Sequence, residues 1–297
     1  MSSVDNHGHY YIPHPSPWPI VGSTALFFTA IGMVNFIHGS PSGIPLLGIG
    51  TVILLIMMFG WFRTVINESI AGHYSSQVDK SFRWGMGWFI FSEVMFFAAF
   101  FGALFYIRQF SVPWLGGADP FTKDVLWPVF DPTWPLISPP GETHGVTKEA
   151  FDKPLHVVGA WGVPALNTII LLSSGITVTL AHWGLLKGNR QQLILGLLAT
   201  VALGFLFIGF QAYEYGHAIS ELNLTLSSGV YGSTFYMLTG FHGLHVTIGA
   251  TMLTVILLRS ISGHFSAHNH FAFEAVAWYW HFVDVVWLGL FIFVYWL

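Results

Sequence analysis

Between residues 6 and 62 the chain has no Lys, Arg, Asp or Glu, and the same is true of 154–186 and 222–258. A soluble domain needs about 25% charged residues to hold a hydrated surface. Here only 8% are charged and 54% are hydrophobic. In hydrocarbon every backbone N–H and C=O must be bonded inside the segment, so continuous apolar runs of about 20 residues cross as helices. The chain reads as an all-α, multispanning membrane protein.

Seven spans can be drawn, at about 19–38, 45–66, 84–108, 159–186, 192–216, 230–258 and 273–297. "HGSPSGIP" breaks the first from the second with Pro and Gly, and "KGNRQQ" turns the fourth into the fifth. Residues 109–158 contain "WPVFDPTWPLISPPGETHG", rich in Pro and aromatic residues. That composition favours turns and extended chain over helix. The expectation is one membrane domain, 1–297, with 109–158 as a long outer-face loop.

Lysine and arginine in short loops set the orientation. Arg63, Lys80 and Arg83 fall in the second connection, Lys187 and Arg190 in the fourth, and Arg259 in the sixth. Even connections therefore face the cytoplasm, with the amino terminus inside and the carboxy terminus on the outer or periplasmic side. The amino-terminal stretch has no basic region before an apolar core, so no cleavable signal is expected. The absence of cysteine removes disulfides, thiolate metal sites and C-x-x-C-H haem attachment. A net charge of −4 gives no reason to expect nucleic acid. No internal repeat of the transporter kind is visible.

Depth, at about 1.5 Å per residue, singles out the polar groups that burden the membrane. Glu93 lies roughly 15 Å beyond Arg83 and Asp284 roughly 20 Å from the last residue, whereas Glu214 falls at the outer interface. An ionised carboxylate at the bilayer centre is costly, so Glu93 faces protein or water or carries its proton. It is a candidate for proton exchange, or for a neutral acid bonded between helices. His281 and Asp284, at i and i+3, share a face of the last helix. The carboxylate can fix the imidazole tautomer behind a metal, or the two can simply pair. His242 and His245 in "TGFHGLHVTIG" are one turn apart. They can contribute to a copper or haem site, with His281 as a further donor, or hydrogen-bond between helices packed through Gly240, Gly243 and Gly249. At the cytoplasmic surface Arg63, Glu68 and His73 follow the second span, and Arg259, His264, His268 and His270 the sixth. Such groups suit anionic lipid head groups, or are ordinary positive-inside decoration.

"SEVMFF" (92–97), "PALNTIILLSSG" (164–175), "TGFHGLHVTIG" (239–249) and "WYWHFVDVVWL" (278–288) together resemble cytochrome c oxidase subunit III, of the haem–copper oxidases. "SPWPI" and "QAYEYGHA" (211–218) fit the same pattern. The resemblance covers nearly the whole chain except 109–158, which looks like an insertion. The related quinol oxidase subunit III, the alternative, usually has five spans and lacks the first two. A proton or solute transporter, suggested by Glu93, Glu214 and Asp284, is a more distant alternative.

The resemblance implies two helices set apart from five, with a lipid-filled cleft between, in a complex that moves electrons from cytochrome c to oxygen and pumps protons. It implies no metal or cofactor in this chain, haem and copper in subunits I and II, and bound phospholipid. Subunit I is the expected main contact, stabilised by this chain, which sustains its proton uptake; the membrane expected is a bacterial plasma membrane. Matched residue by residue, Arg63, Glu68, His73, Arg259 and His264 fall near the lipids, and Glu93 matches a carbodiimide-reactive carboxylate. His242, His245, His281 and Asp284 become structural polar groups. The chain departs from the pattern at Asn67, where the family often has Arg, and at Tyr74, where it commonly has a second His.

Overall fold

The computed structural model describes residues 15–138 and 153–297. Residues 1–14, which carry most of the no-signal reading, and 139–152 of the long connection lie outside them. Seven helices are long and apolar enough to cross a membrane: Trp18–Ile37, Gly43–Ile70, Ser76–Ala118, Val163–Leu186, Arg190–Ser220, Gly229–Ile261 and Phe271–Trp296. The chain divides into two compact units, Met1–Trp84 and Gly85–Leu297, where the sequence suggested a single domain.

In the first unit α1 (Trp18–Ile37) and α2 (Gly43–Ile70) form an antiparallel hairpin. A proline in the first turn of α1 costs no helical bond, because the amides there have no partner in any case. The helix ends at His38, and Gly39 takes φ +70°, a left-handed angle that suits glycine. Ala25 and Gly32 of α1 and Gly43 and Gly50 of α2 are the buried positions. A Cβ built on Gly32 would lie 2.6 Å from the Leu47 amide nitrogen, so the backbones touch where side chains are smallest. The Trp18 indole N–H donates to Thr64 Oγ1 at 3.2 Å, closing the open end of the hairpin.

α3 (Ser76–Tyr106) passes from the first unit into the second. It does not end near residue 108 as expected. Two wide π-helical stretches, Ile107–Ser111 and Trp114–Ala118, carry it on to Ala118. The whole is 43 residues, about 65 Å at helical rise, against a hydrocarbon core of about 30 Å. Its ends therefore stand in head group and water, which is where Asp79, Lys80 and Arg83 sit; Arg83 Nε donates to Asp79 Oδ2 at 2.8 Å. The 109–158 segment thus begins as helix, contrary to the loop expectation. Pro113 adopts φ −61° between the two π stretches, where a proline keeps helical angles. α4 (Pro120–Leu126) follows, capped by Asp119, which accepts from the Thr122 amide at 3.0 Å. Val112, Phe130 and Leu136 form a small core of their own, with Ile107, Leu115 and Trp127 packed against it.

The rest of the second unit is α5 (Val163–Leu186), α6 (Arg190–Ser220), α7 (Gly229–Ile261) and α8 (Phe271–Leu290), the last extended by a π stretch to Trp296. Neighbours in sequence pack together, and α8 returns to α5. Trp280, fully buried, sits among three helices. Built Cβ atoms on Gly204 and Gly249 would lie 2.9 and 2.8 Å from its ring, so these glycines make room for an indole. Its N–H donates to Ser174 Oγ at 2.8 Å, and that of Trp287 to Thr168 Oγ1 at 2.9 Å. Both indole N–H groups are thus satisfied across a helix interface, as burial in a dry interior requires. At one end an Arg190 guanidinium N–H donates to the Ile261 carbonyl, joining the α5–α6 turn to the end of α7. Lys187, Arg190 and Arg259 therefore share one end of this unit.

Candidate functional site

Three polar centres lie inside the second unit. At the first, α3 presents Glu93 to His245 of α7, with His245 Nε2 2.9 Å from Glu93 Oε2. His245 Nδ1 lies 2.6 Å from the Phe241 carbonyl oxygen. A carbonyl only accepts, so Nδ1 carries a proton. The Nε2–Oε2 contact then holds a single proton, on the ring or on the carboxyl, and the pair is neutral overall in either form. Phe96 and Phe97 flank the imidazole, with ring centroids at 6.0 and 5.0 Å, and Tyr279 stacks at 6.3 Å. The local sequence around Glu93 offered no cation; the fold supplies this partner from 152 residues away.

His242 faces the other way. Its Nε2 is 3.2 Å from the Val283 carbonyl oxygen of α8, so that nitrogen carries the proton. Phe207 and Trp287 enclose the ring at 5.8 and 5.1 Å. His242 and His245 share a helix but bond to different helices, and they do not converge.

The third centre is on the outer side of α5 and α8. Thr179 Oγ1 donates to the Gly175 carbonyl at 2.9 Å and lies 3.3 Å from His281 Nε2, so His281 donates from Nε2. Its Nδ1 is 3.6 Å from Asp284 Oδ2, beyond hydrogen-bond length. Asp284 lies against Gly175, where a side chain would collide with its carboxyl. Asp284 Oδ1 is enclosed without a hydrogen-bond partner among the described residues.

Two further groupings escaped the sequence reading. Gln211, Glu214 and Tyr295 form a buried set: the Tyr295 hydroxyl donates to Glu214 Oε1 at 2.6 Å and Gln211 Nε2 to the same oxygen at 3.1 Å. Glu214 was read as interfacial, but it is only 4% exposed because Tyr295 and its neighbours cover it. His182, His270 and Glu274 bring one donor atom each within 4.8 Å of one another. His270 Nε2 lies 3.4 Å and His182 Nε2 3.8 Å from Glu274 Oε1. Two imidazoles and a carboxylate can ligate a divalent cation. Only the His270–Glu274 spacing, i and i+4, was visible locally; His182 comes from another helix.

The lipid-binding candidates are surface groups with partial anchorage. Arg63 and His73 are exposed, while Glu68 Oε2 accepts from the Tyr74 hydroxyl at 2.8 Å. Tyr74 thus engages one oxygen of this acid. Arg259 lays its guanidinium 4.5 Å over the Phe265 ring, and His264 is exposed beyond it.

A sequence model of the family described as cytochrome c oxidase subunit III matches residues 7–130 and 139–297. The chain is 42% identical to the cytochrome c oxidase subunit 3 of Lemur catta over 288 residues, 97% of this chain and 92% of that one. To the protein of the same name from Gadus morhua it is 43% identical, over 97% and 96% of the two chains. To that of Marchantia polymorpha it is 42% identical, over 99% and 98%. The family match runs through most of 109–158 and omits only 131–138, so the segment is not the insertion expected. Its helical beginning, which the proline and aromatic content disguised, is part of what matches. A likeness carried along almost the full length, on seven apolar helices, places this integral membrane protein in the cytochrome c oxidase subunit III family.

Proposed function

We propose that the chain is the non-redox third subunit of a respiratory cytochrome c oxidase, a proton-pumping complex that passes electrons from cytochrome c to oxygen. It packs against subunits I and II, which hold the haem and copper, and by stabilising subunit I it sustains proton uptake during turnover. The observation that carries this reading is the engagement of the intramembrane imidazoles. Both ring nitrogens of His245 and Nε2 of His242 are already bonded to protein groups on separate helices. Histidines held in this way tie helices together. Glu93, sharing one proton with His245, suits slow proton exchange and carbodiimide reaction better than conduction.

Phospholipid is the bound ligand in this proposal, with Arg63, Glu68 and His73 as the head-group contacts of the first unit and, separately, Arg259 and His264 as those of the second. The Phe265 ring fixes the Arg259 guanidinium and leaves its charge for a phosphate. The charge placement supports an amino terminus on the inner side and a carboxy terminus outside. The relatives quoted come from eukaryotes, so the proposal concerns orientation and not a bacterial membrane.

The test is affinity purification of the chain from its native membrane in mild detergent. Co-purification with haem- and copper-bearing subunits in a complex that oxidises cytochrome c is the expected result. A chain that reaches purity alone, with specific proton flux after reconstitution that Glu93→Gln abolishes, would establish a transporter instead.

A further inference from the structure

Asp284 poses a problem that the chain alone does not solve. It sits about 20 Å into the membrane, its side chain 8% exposed, with Oδ1 enclosed and Oδ2 too far from His281 for a hydrogen bond. His281 is committed to Thr179 through Nε2, and its own side chain is 45% exposed at the same depth. A carboxyl and an imidazole so placed are expensive in hydrocarbon unless something brings them a partner. The two groups open onto a groove of about 410 Å³, walled by Leu172, Ile176 and Trp183 of α5 and by Val285 and Leu288 of α8.

We propose that this groove receives a transmembrane helix of a partner subunit, which brings a hydrogen-bond donor to Asp284 Oδ2 and to His281 Nδ1 at mid-membrane. A lipid does not meet the need: at this depth its acyl chains offer only CH₂ and CH₃ groups, and its polar atoms lie at the interfaces. A donor at mid-depth comes from a side chain such as Ser, Thr, Asn, Trp or Lys on a helix. The groove has the form for it, because Ile176 and Val285, 63% and 67% exposed, stand as apolar ridges on either side of the polar pair. A second copy of this chain would set the same acid and imidazole opposite each other and supply no new donor. The inference rests on the reading of the chain as a subunit that packs against others, and it assigns the face.

The experiment places a photo-crosslinking amino acid at Val285 in the complex within native membranes and sequences the adducts. The expected adduct joins a helix of another subunit that carries a donor side chain within one turn of the linked residue. Its yield falls about fivefold in Asp284→Leu, the factor that roughly 1 kcal/mol of interhelical hydrogen bonding gives, and survives in Asp284→Asn, which keeps an acceptor. Ile176→Trp, at an exposed position that leaves the fold intact, fills the groove and lowers the yield as well. Adducts to lipid, to a second copy or to a helix without a donor, from a complex that otherwise assembles, overturn the docking alone. A chain that purifies without haem-bearing companions overturns both the docking and the subunit reading.

Discussion

Glu93 of α3 and His245 of α7 meet at 2.9 Å, and the Phe241 carbonyl decides how: it pins one proton on Nδ1 and leaves a single proton for Nε2 and the carboxyl to share. Two groups that would each be costly in a membrane thereby become one neutral unit. The contact is the polar tie between α3 and α7, and it accounts for an acid surrounded by phenylalanines.

Removing one member strands the other. Glu93→Leu should lower the stability of the second unit by about 1–3 kcal/mol, since His245 Nε2 loses its partner in a dry site. Glu93→Leu combined with His245→Leu should recover most of that loss. Thermal denaturation of the purified complex checks it. A double variant that loses the sum of the two single effects would show that the pair is not coupled.

The Trp280 site is a packing prediction. Gly249→Leu should destabilise by about 1–3 kcal/mol, because a built Cβ is already 2.8 Å from the fully buried indole of Trp280. Ser174→Ala leaves the buried indole N–H without its acceptor and should cost about 1–3 kcal/mol with no change of volume to speak of. Yields of assembled complex and its unfolding temperature are the measurements.

Phospholipid retention tests the surface cations. Arg63→Ala together with Arg259→Ala should lower the phospholipid that survives purification, as counted by mass spectrometry. Arg259→Lys keeps the charge but gives up the planar stack on Phe265, and should fall between wild type and Ala. Unchanged lipid content in the double variant would remove these residues from lipid binding.

The cap of α4 should respond to pH. The Thr122 hydroxyl and then its amide bond the Asp119 carboxylate and hold it below its ordinary range. The folded value is the lower one, so the stabilisation is present above the unfolded value, about 4, and fades as pH falls through the folded one. Asp119→Ala should therefore speed hydrogen exchange in Pro120–Leu126 at neutral pH. The difference from wild type should vanish in acid below the carboxylate range.

The spans were legible because charge-free runs have one solution in lipid. Six of the seven begin and end within a few residues of where charge, Pro and Gly set them. α3 differs at both ends because a helix continues through charged or proline-containing sequence once it has left the hydrocarbon, and composition alone does not mark that exit. Of the polar centres, His281 with Asp284 was visible as an i, i+3 pair. Glu93 with His245, and His182 with His270 and Glu274, were not, because the partners stand on different helices and sequence spacing is silent about which helices touch. Asp284 shows a further limit: adjacency in sequence suggested a pair, while the geometry leaves the carboxyl 3.6 Å from the imidazole nitrogen, too far for a hydrogen bond.

The central claim is that the ionisable groups inside these helices join protein to protein and carry no electrons. The direct measurement is the absorption spectrum and metal content of this chain after it has been stripped from the purified complex in detergent. The account predicts a colourless polypeptide without stoichiometric copper and without oxygen consumption, the haem bands staying with the subunits left behind. A Soret band or bound copper that travels with this chain would contradict it.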